Sequence, residues 1–246
     1  MIKTVPPRHA AACLVLIALS ITANTYAAKL VVTTTDDPLL APGMVIDSEK
    51  VTLAAGKTLT VITATGQKAV LKGPHDGPWA VGGAGAGSND AARTAALASL
   101  LATGPARTSS VGVVRAVPGK AKPAVFSPDL RQISIAAPGV QCVAEGATPA
   151  LWRPTDVAVT KVAVADAGGK EAAFDWGGSQ TAPLPAGVAV VDQDALNIRL
   201  DEQPPIKVTL RVIPASITDP IERIVWMNGN QCTTQARALL DQMLRE

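Results

Sequence analysis

Aromatic side chains are scarce in this chain, with one Tyr, two Phe and four Trp among 246 residues. The core must therefore be built mainly from Val, Ala, Leu and Ile, and each large ring becomes a point of interest. Histidine is scarcer still: only His9 and His75 occur. That excludes zinc sites built on several histidines. A Ser–His–acid triad beyond the first residues would have to use His75 as its base. His75 lies in Gly73-Pro74-His75-Asp76-Gly77-Pro78, which reads as an exposed turn between two Gly-Pro pairs. Phosphate loops are missing too. Gly82-Gly83-Ala84-Gly85-Ala86-Gly87 precedes a helical pattern but has neither the Gly-x-Gly-x-x-Gly spacing nor a Gly-Lys-Ser/Thr ending, so it reads as a linker. Gly177-Gly178-Ser179-Gln180-Thr181 lacks the last Gly of a serine elbow and reads as a turn. No cofactor or metal is expected from these motifs.

What is present begins with an apolar run from Ala10 to Ile21, preceded by Lys3 and Arg8 and followed by Thr25-Tyr26-Ala27-Ala28. A basic start, a short apolar middle and a small-residue exit form the plan of a cleavable export signal. The run is too short for a spanning helix, which needs about 20 apolar residues. The expected cut falls after Ala27, leaving a periplasmic or secreted protein with no transmembrane segment. The leader removes the only Tyr and two basic residues, so the remaining 219 residues hold 20 charges of each sign. A neutral chain offers no electrostatic case for nucleic acid, which calls for clustered Lys and Arg.

Cys13 leaves with the leader, and Cys142 and Cys232 remain. An even pair in an oxidising compartment predicts a disulfide. The bridge would close a loop of about 90 residues, worth about 4–5 kcal/mol in the chain-entropy model.

The remaining pattern is mainly β with a few helices. Residues 28–81 read as a small antiparallel β domain. Lys29 to Thr35 is β-branched, and Leu59, Val61 and Thr63 alternate with Thr60, Ile62 and Ala64, a strand apolar on both faces. Residues 82–104 read as the Gly-rich linker and a helix from Ala91 to Thr103, with Ser88, Asn89 and Asp90 able to cap it. Residues 105–130 connect, with a short Val strand at 111–114. Residues 131–216 suggest an immunoglobulin-like β-sandwich of roughly seven strands. Its clearest strands are Leu196/Ile198/Leu200 and Val208/Leu210/Val212, and Val157, Val159, Val162 and Val164 read as a strand pair or one bulged strand. Residues 217–246 read as a helical hairpin, with Thr218 or Asp219 as cap, Pro220 at the first helical position and a break at Asn228-Gly229-Asn230. Cys232 then pins the last helix to the start of the second β unit.

Two further sets of residues could carry function. Trp79, Trp152 and Trp176 could form a sugar-stacking or binding surface, against the alternative that scarce aromatics anchor the core. Acid pairs occur at Asp36-Asp37, Asp192-x-Asp194 and Asp201-Glu202. Two carboxylates facing one another across a cleft would suit a glycan hydrolase, and Asp192 and Asp194 could ligate calcium. Solvated loop acids are the plainer reading.

The stretch from about 42 to 78 resembles the FecR-type domain of bacterial envelope proteins. Gly43, Val45, Val51-Thr52-Leu53, Gly56, Leu59-Thr60-Val61, Gly66 and Leu71-Lys72-Gly73-Pro74 carry the likeness. The resemblance implies a β-rich module for sensing or interaction outside the cytoplasm. The remainder, including Ala150-Leu151-Trp152-Arg153-Pro154, resembles exported proteins of Gram-negative bacteria. The sequence thus leads to an exported, non-catalytic envelope module whose partner is a protein or a glycan. The alternatives are an envelope-polymer hydrolase using paired carboxylates, and an accessory component of an envelope signalling system.

Overall fold

The computed structural model describes residues 28–81, 89–103, 126–127 and 129–245. The expected leader with its cut after Ala27, the glycine run and the strand expected at 111–114 lie outside the described residues.

The chain is mainly β, with antiparallel sheets and three helices, two of them near the C-terminus. The first unit contains β1 (Lys29–Thr35), β2 (Val45–Asp47), β3 (Val51–Leu53), β4 (Thr58–Thr63), β5 (Lys68–Lys72) and β6 (His75–Gly77). Four of these form an antiparallel sheet in the order β2-β1-β4-β5. β3 and β6 pair separately, with Leu53 opposite His75. His75 therefore sits in a strand, not in the turn expected between the two Gly-Pro pairs. Three residues with little strand propensity gave no period-2 signal, and pairing to β3 overrides it. The Thr52 hydroxyl donates to Asp76 Oδ1 at 2.9 Å across this pair.

The two central strands, β1 and β4, bury side chains on both faces of the sheet, as the pattern of β4 implies. Leu30, Val32, Leu59 and Val61 pack with Val51 and Leu53 beneath β3. Val31 and Ile62 point the other way, into a core made with the helices.

Helix α1 (Asp90–Ala102) follows. Asn89 occupies the cap position but makes no side-chain cap bond, because its backbone is already helical rather than extended. Leu97, Leu100 and Leu101 form its buried stripe.

The second unit holds eight strands: β7 (Gln132–Ser134), β8 (Gly139–Ala144), β9 (Ala150–Trp152), β10 (Lys161–Ala165), β11 (Glu171–Asp175), β12 (Thr181–Pro183), β13 (Ala195–Leu200) and β14 (Ile206–Ile213). Five form a sheet in the order β11-β10-β13-β14-β8, and three form another in the order β12-β9-β7. Both sheets contribute to one core, with Ile133, Leu151 and Ala182 from the smaller and Val143, Val162, Val164, Leu196, Ile198, Val208 and Leu210 from the larger. Two pairs, β8–β14 and β7–β9, are parallel. Val157 and Val159 precede β10 in a loop, so the valine series makes one strand rather than two.

Helices α2 (Pro220–Gly229) and α3 (Thr233–Met243) complete the fold. Asp219 is extended and its carboxylate accepts the Glu222 N–H at 2.8 Å, with Pro220 in the first turn. Ile221, Ile224 and Met227 of α2 and Ala236 and Leu240 of α3 meet the α1 leucines, Val31 and Ile62 from the first unit, and Cys142 and Ile213 from the second. The helices thus form a middle layer whose core draws on both β units.

Candidate functional site

Chemistry concentrates where the last helix meets β8. This strand is the outer edge of the five-stranded sheet, so one row of its backbone groups has no strand partner. The side chain of Gln235, buried on α3, takes that place. Its Oε1 accepts the Cys142 N–H at 2.6 Å, and its Nε2 donates to the Cys142 carbonyl at 3.1 Å. The disulfide between Cys142 and Cys232 joins the same residue to the start of α3, with the Cα atoms 5.9 Å apart. One residue of β8 is therefore held both covalently and by a two-way amide pair. On the same strand Gln141, also buried, bonds the Ser134 N–H, the Ser134 carbonyl and the Ala137 carbonyl at 2.7–2.8 Å, which fixes the turn back to β7.

The three tryptophans occupy separate settings. Trp79 packs against the core of the first unit, and its backbone N–H donates to the Ser48 carbonyl at 2.7 Å. Trp152 is half-buried on β9, opposite Thr181. Trp176 is only 5% exposed and belongs to the core of the second unit. Its indole N–H donates to the Ser179 carbonyl at 2.8 Å. Beside it lies a residue that sequence reasoning passed over, Arg153. Its guanidinium stands 5.2 Å from the Trp176 ring centre and donates to the carbonyls of Ser179, Val159 and Gly177 at 2.7–3.1 Å. One arginine thus ties three loop carbonyls to a buried ring. The only sequence signal for it was its place after Leu151-Trp152.

The acids accept hydrogen bonds from backbone N–H groups. Asp36 Oδ1 accepts the Thr58 N–H at 2.6 Å and Asp37 Oδ1 accepts the Leu39 N–H at 2.9 Å. Asp192 Oδ1 accepts the Val212 N–H at 2.9 Å. That bond, with the Gln193 amide and Arg211, holds Asp192 below the usual carboxylate range. Asp201 Oδ1 accepts from the Thr160 hydroxyl at 2.6 Å and from the Thr160 and Lys161 N–H groups at 3.1 and 2.8 Å. The Thr160 hydroxyl bond and those two N–H bonds hold Asp201 low as well. An open hollow of about 550 Å³ surrounds this turn, lined also by Glu202 and Gln203. Among the described residues no three of His, Cys, Asp or Glu are grouped to hold a metal ion.

A second hollow lies between the helical layer and the entry to the second unit. It too is open, about 480 Å³ in volume, and is lined by Asp129, Leu130, Arg131, Ala144, Arg223, Leu239 and Gln242. Arg131 holds Asp129 through two bonds, Nε to Oδ1 at 3.0 Å and Nη2 to Oδ2 at 2.8 Å. This pairing keeps Asp129 below its ordinary range. Leu130 and Leu239 belong to the helical core and give the hollow an apolar wall.

Among the described residues, no helix is long and apolar enough to cross a membrane. No family model, no curated protein and no solved structure matches the chain.

Proposed function

We propose that the chain is an exported, non-catalytic interaction module that works in an oxidising compartment on an envelope protein or glycan. The observation that carries this reading is the Cys142–Cys232 bond at the junction of β8 and α3. Disulfides form and persist outside the reducing cytoplasm. The leader-like first residues and the FecR-type likeness of residues 42–78 agree with that location, and the likeness favours sensing or interaction. The larger β unit is read as a sandwich in which the parallel β8–β14 and β7–β9 pairs depart from a wholly antiparallel plan. The carboxylates of Asp36, Asp37, Asp192 and Asp201 all accept backbone N–H groups, Asp37 within its own turn and the other three from segments 20 or more residues away, which supports structural over catalytic use.

The test is capture from envelope extract on immobilised protein beginning at Ala28. A partner retained by the unreduced protein and lost after reduction supports the reading. No retained partner across a range of salt and divalent-ion conditions counts against it. A thiol assay on unreduced protein provides a second check, because two titratable thiols would remove the compartment argument.

A further inference from the structure

Arg223 stands in the 480 Å³ hollow without a counter-charge. A guanidinium has five N–H donors. One, on Nη2, reaches the Ile217 carbonyl at 2.9 Å. The Nε–H is buried and has no acceptor. Among the described residues Arg223 forms no ion pair. Arg211 gives the contrast. Its Nε is also buried without a hydrogen bond, yet Asp192 lies 3.5 Å away and Asn230 Oδ1 accepts from its Nη2 at 2.5 Å. The other charges of the hollow cancel, because Asp129 and Arg131 are paired with each other. One positive charge is left over, beside a wall of Leu130, Leu239 and Ala144. A half-buried cation without a counter-charge is unfavourable unless an anion supplies one. The volume lies within the range of small-ligand sites, about 300–1,000 Å³.

We propose that this hollow binds a carboxylate carried on an aliphatic body. The carboxylate meets the Arg223 guanidinium, and the aliphatic part covers Leu130 and Leu239. A bare dianion fits less well, since Asp129 repels a second negative charge and the apolar wall gains nothing. A short fatty acid and the free C-terminus of a peptide share the chemistry that the hollow selects. This assignment rests on reading the chain as a binding module and names a ligand class for it.

The experiment titrates the chain beginning at Ala28 with octanoate and, separately, with acetyl-alanyl-leucine. The Arg223 Nε–H and the Leu239 methyl resonances are followed by NMR, and affinities are measured by calorimetry. A saturable shift of both resonances is expected from at least one probe, and the tighter probe identifies the source. The matching amide, octanamide or acetyl-alanyl-leucinamide, is expected to bind at least about tenfold more weakly, as loss of a charge-assisted bond implies. Arg223→Gln is expected to lose binding by a similar factor with an unchanged circular-dichroism spectrum. Gln242→Glu, which adds negative charge at the rim, is expected to weaken it severalfold and serves if the arginine variant fails to fold. No saturable shift from either probe at millimolar concentration overturns the proposal. So does an amide that binds as well as its acid, or an Arg223→Gln protein that folds and binds like the parent. An envelope partner retained equally by parent and Arg223→Gln, with no carboxylate binding, removes the ligand assignment and leaves the interaction-module reading standing.

Discussion

A few polar side chains do work at the residue scale that hydrophobic patterning alone would not provide. Gln235 is the clearest case, because it substitutes for a missing strand at Cys142. Gln235→Met keeps the volume but leaves a buried N–H and a buried carbonyl unmet. Each such group costs about 1–3 kcal/mol, so urea unfolding of the oxidised variant should show a loss of about 2–6 kcal/mol. A loss below half a kcal/mol would mean that water serves the edge equally well. Asp201 makes a pH prediction. Its carboxyl is held lower in the folded chain than in the unfolded one, chiefly by the Thr160 hydroxyl. Its contribution is therefore complete above the unfolded value of about 3.9. It is lost as pH falls through the lower folded value. Carboxyl NMR titration should give Asp201 a midpoint below that of a free aspartate, and Asp201→Asn should flatten the acid limb of the stability curve. These roles were hidden in the sequence. Gln235 and Asp201 look like ordinary surface residues until a distant segment, 93 residues away for Gln235 and about 40 for Asp201, comes alongside.

Elements were more legible than the contacts between them. The alternation in β13 and β14, the two-faced apolar pattern of β4 and the Pro220 start of α2 could all be read directly, because period and helix-start chemistry are local. β6 was missed, since His75, Asp76 and Gly77 pair only because β3 is there to receive them. The groove with Arg223 was missed for the same reason: its lining comes from segments about 100 residues apart. One packing contact tests how tightly the first unit is seated on α1. Gly43 has φ +85°, and a Cβ there would stand 2.5–2.7 Å from the Ala102 nitrogen, the Ala98 carbonyl and the Ala102 Cβ. Gly56 has φ +76° with open space around it. Gly56→Ala should then cost only the left-handed backbone penalty, about 1–2 kcal/mol. Gly43→Ala should cost clearly more and shift the amide resonances of residues 98–102. Equal melting points for the two variants would show that α1 yields freely.

For the whole molecule, the helical layer gives the two β units a shared core. Val31 and Ile62 from one side share a core with Cys142 and Ile213 from the other. Unfolding should therefore show a single midpoint, whether it is followed by Trp176 emission in the second unit or by the Ile62 methyl signal in the first. Two separated midpoints would mean that the units are independent. Reduction should lower stability by about 4–5 kcal/mol, the chain-entropy value for a loop of this length. The residues joined are 90 apart in sequence, and that spacing also sets a timetable. A chain is made from its N-terminus, so Cys142 exists well before Cys232, and Gln235 comes later still. Throughout that interval β8 has a free thiol and an uncovered strand edge, the two features that invite a neighbouring chain to pair wrongly. Faster synthesis puts more half-made neighbours within reach of one another. Yield should thus depend on production rate and on how late the oxidant acts, even though the finished fold keeps no trace of either.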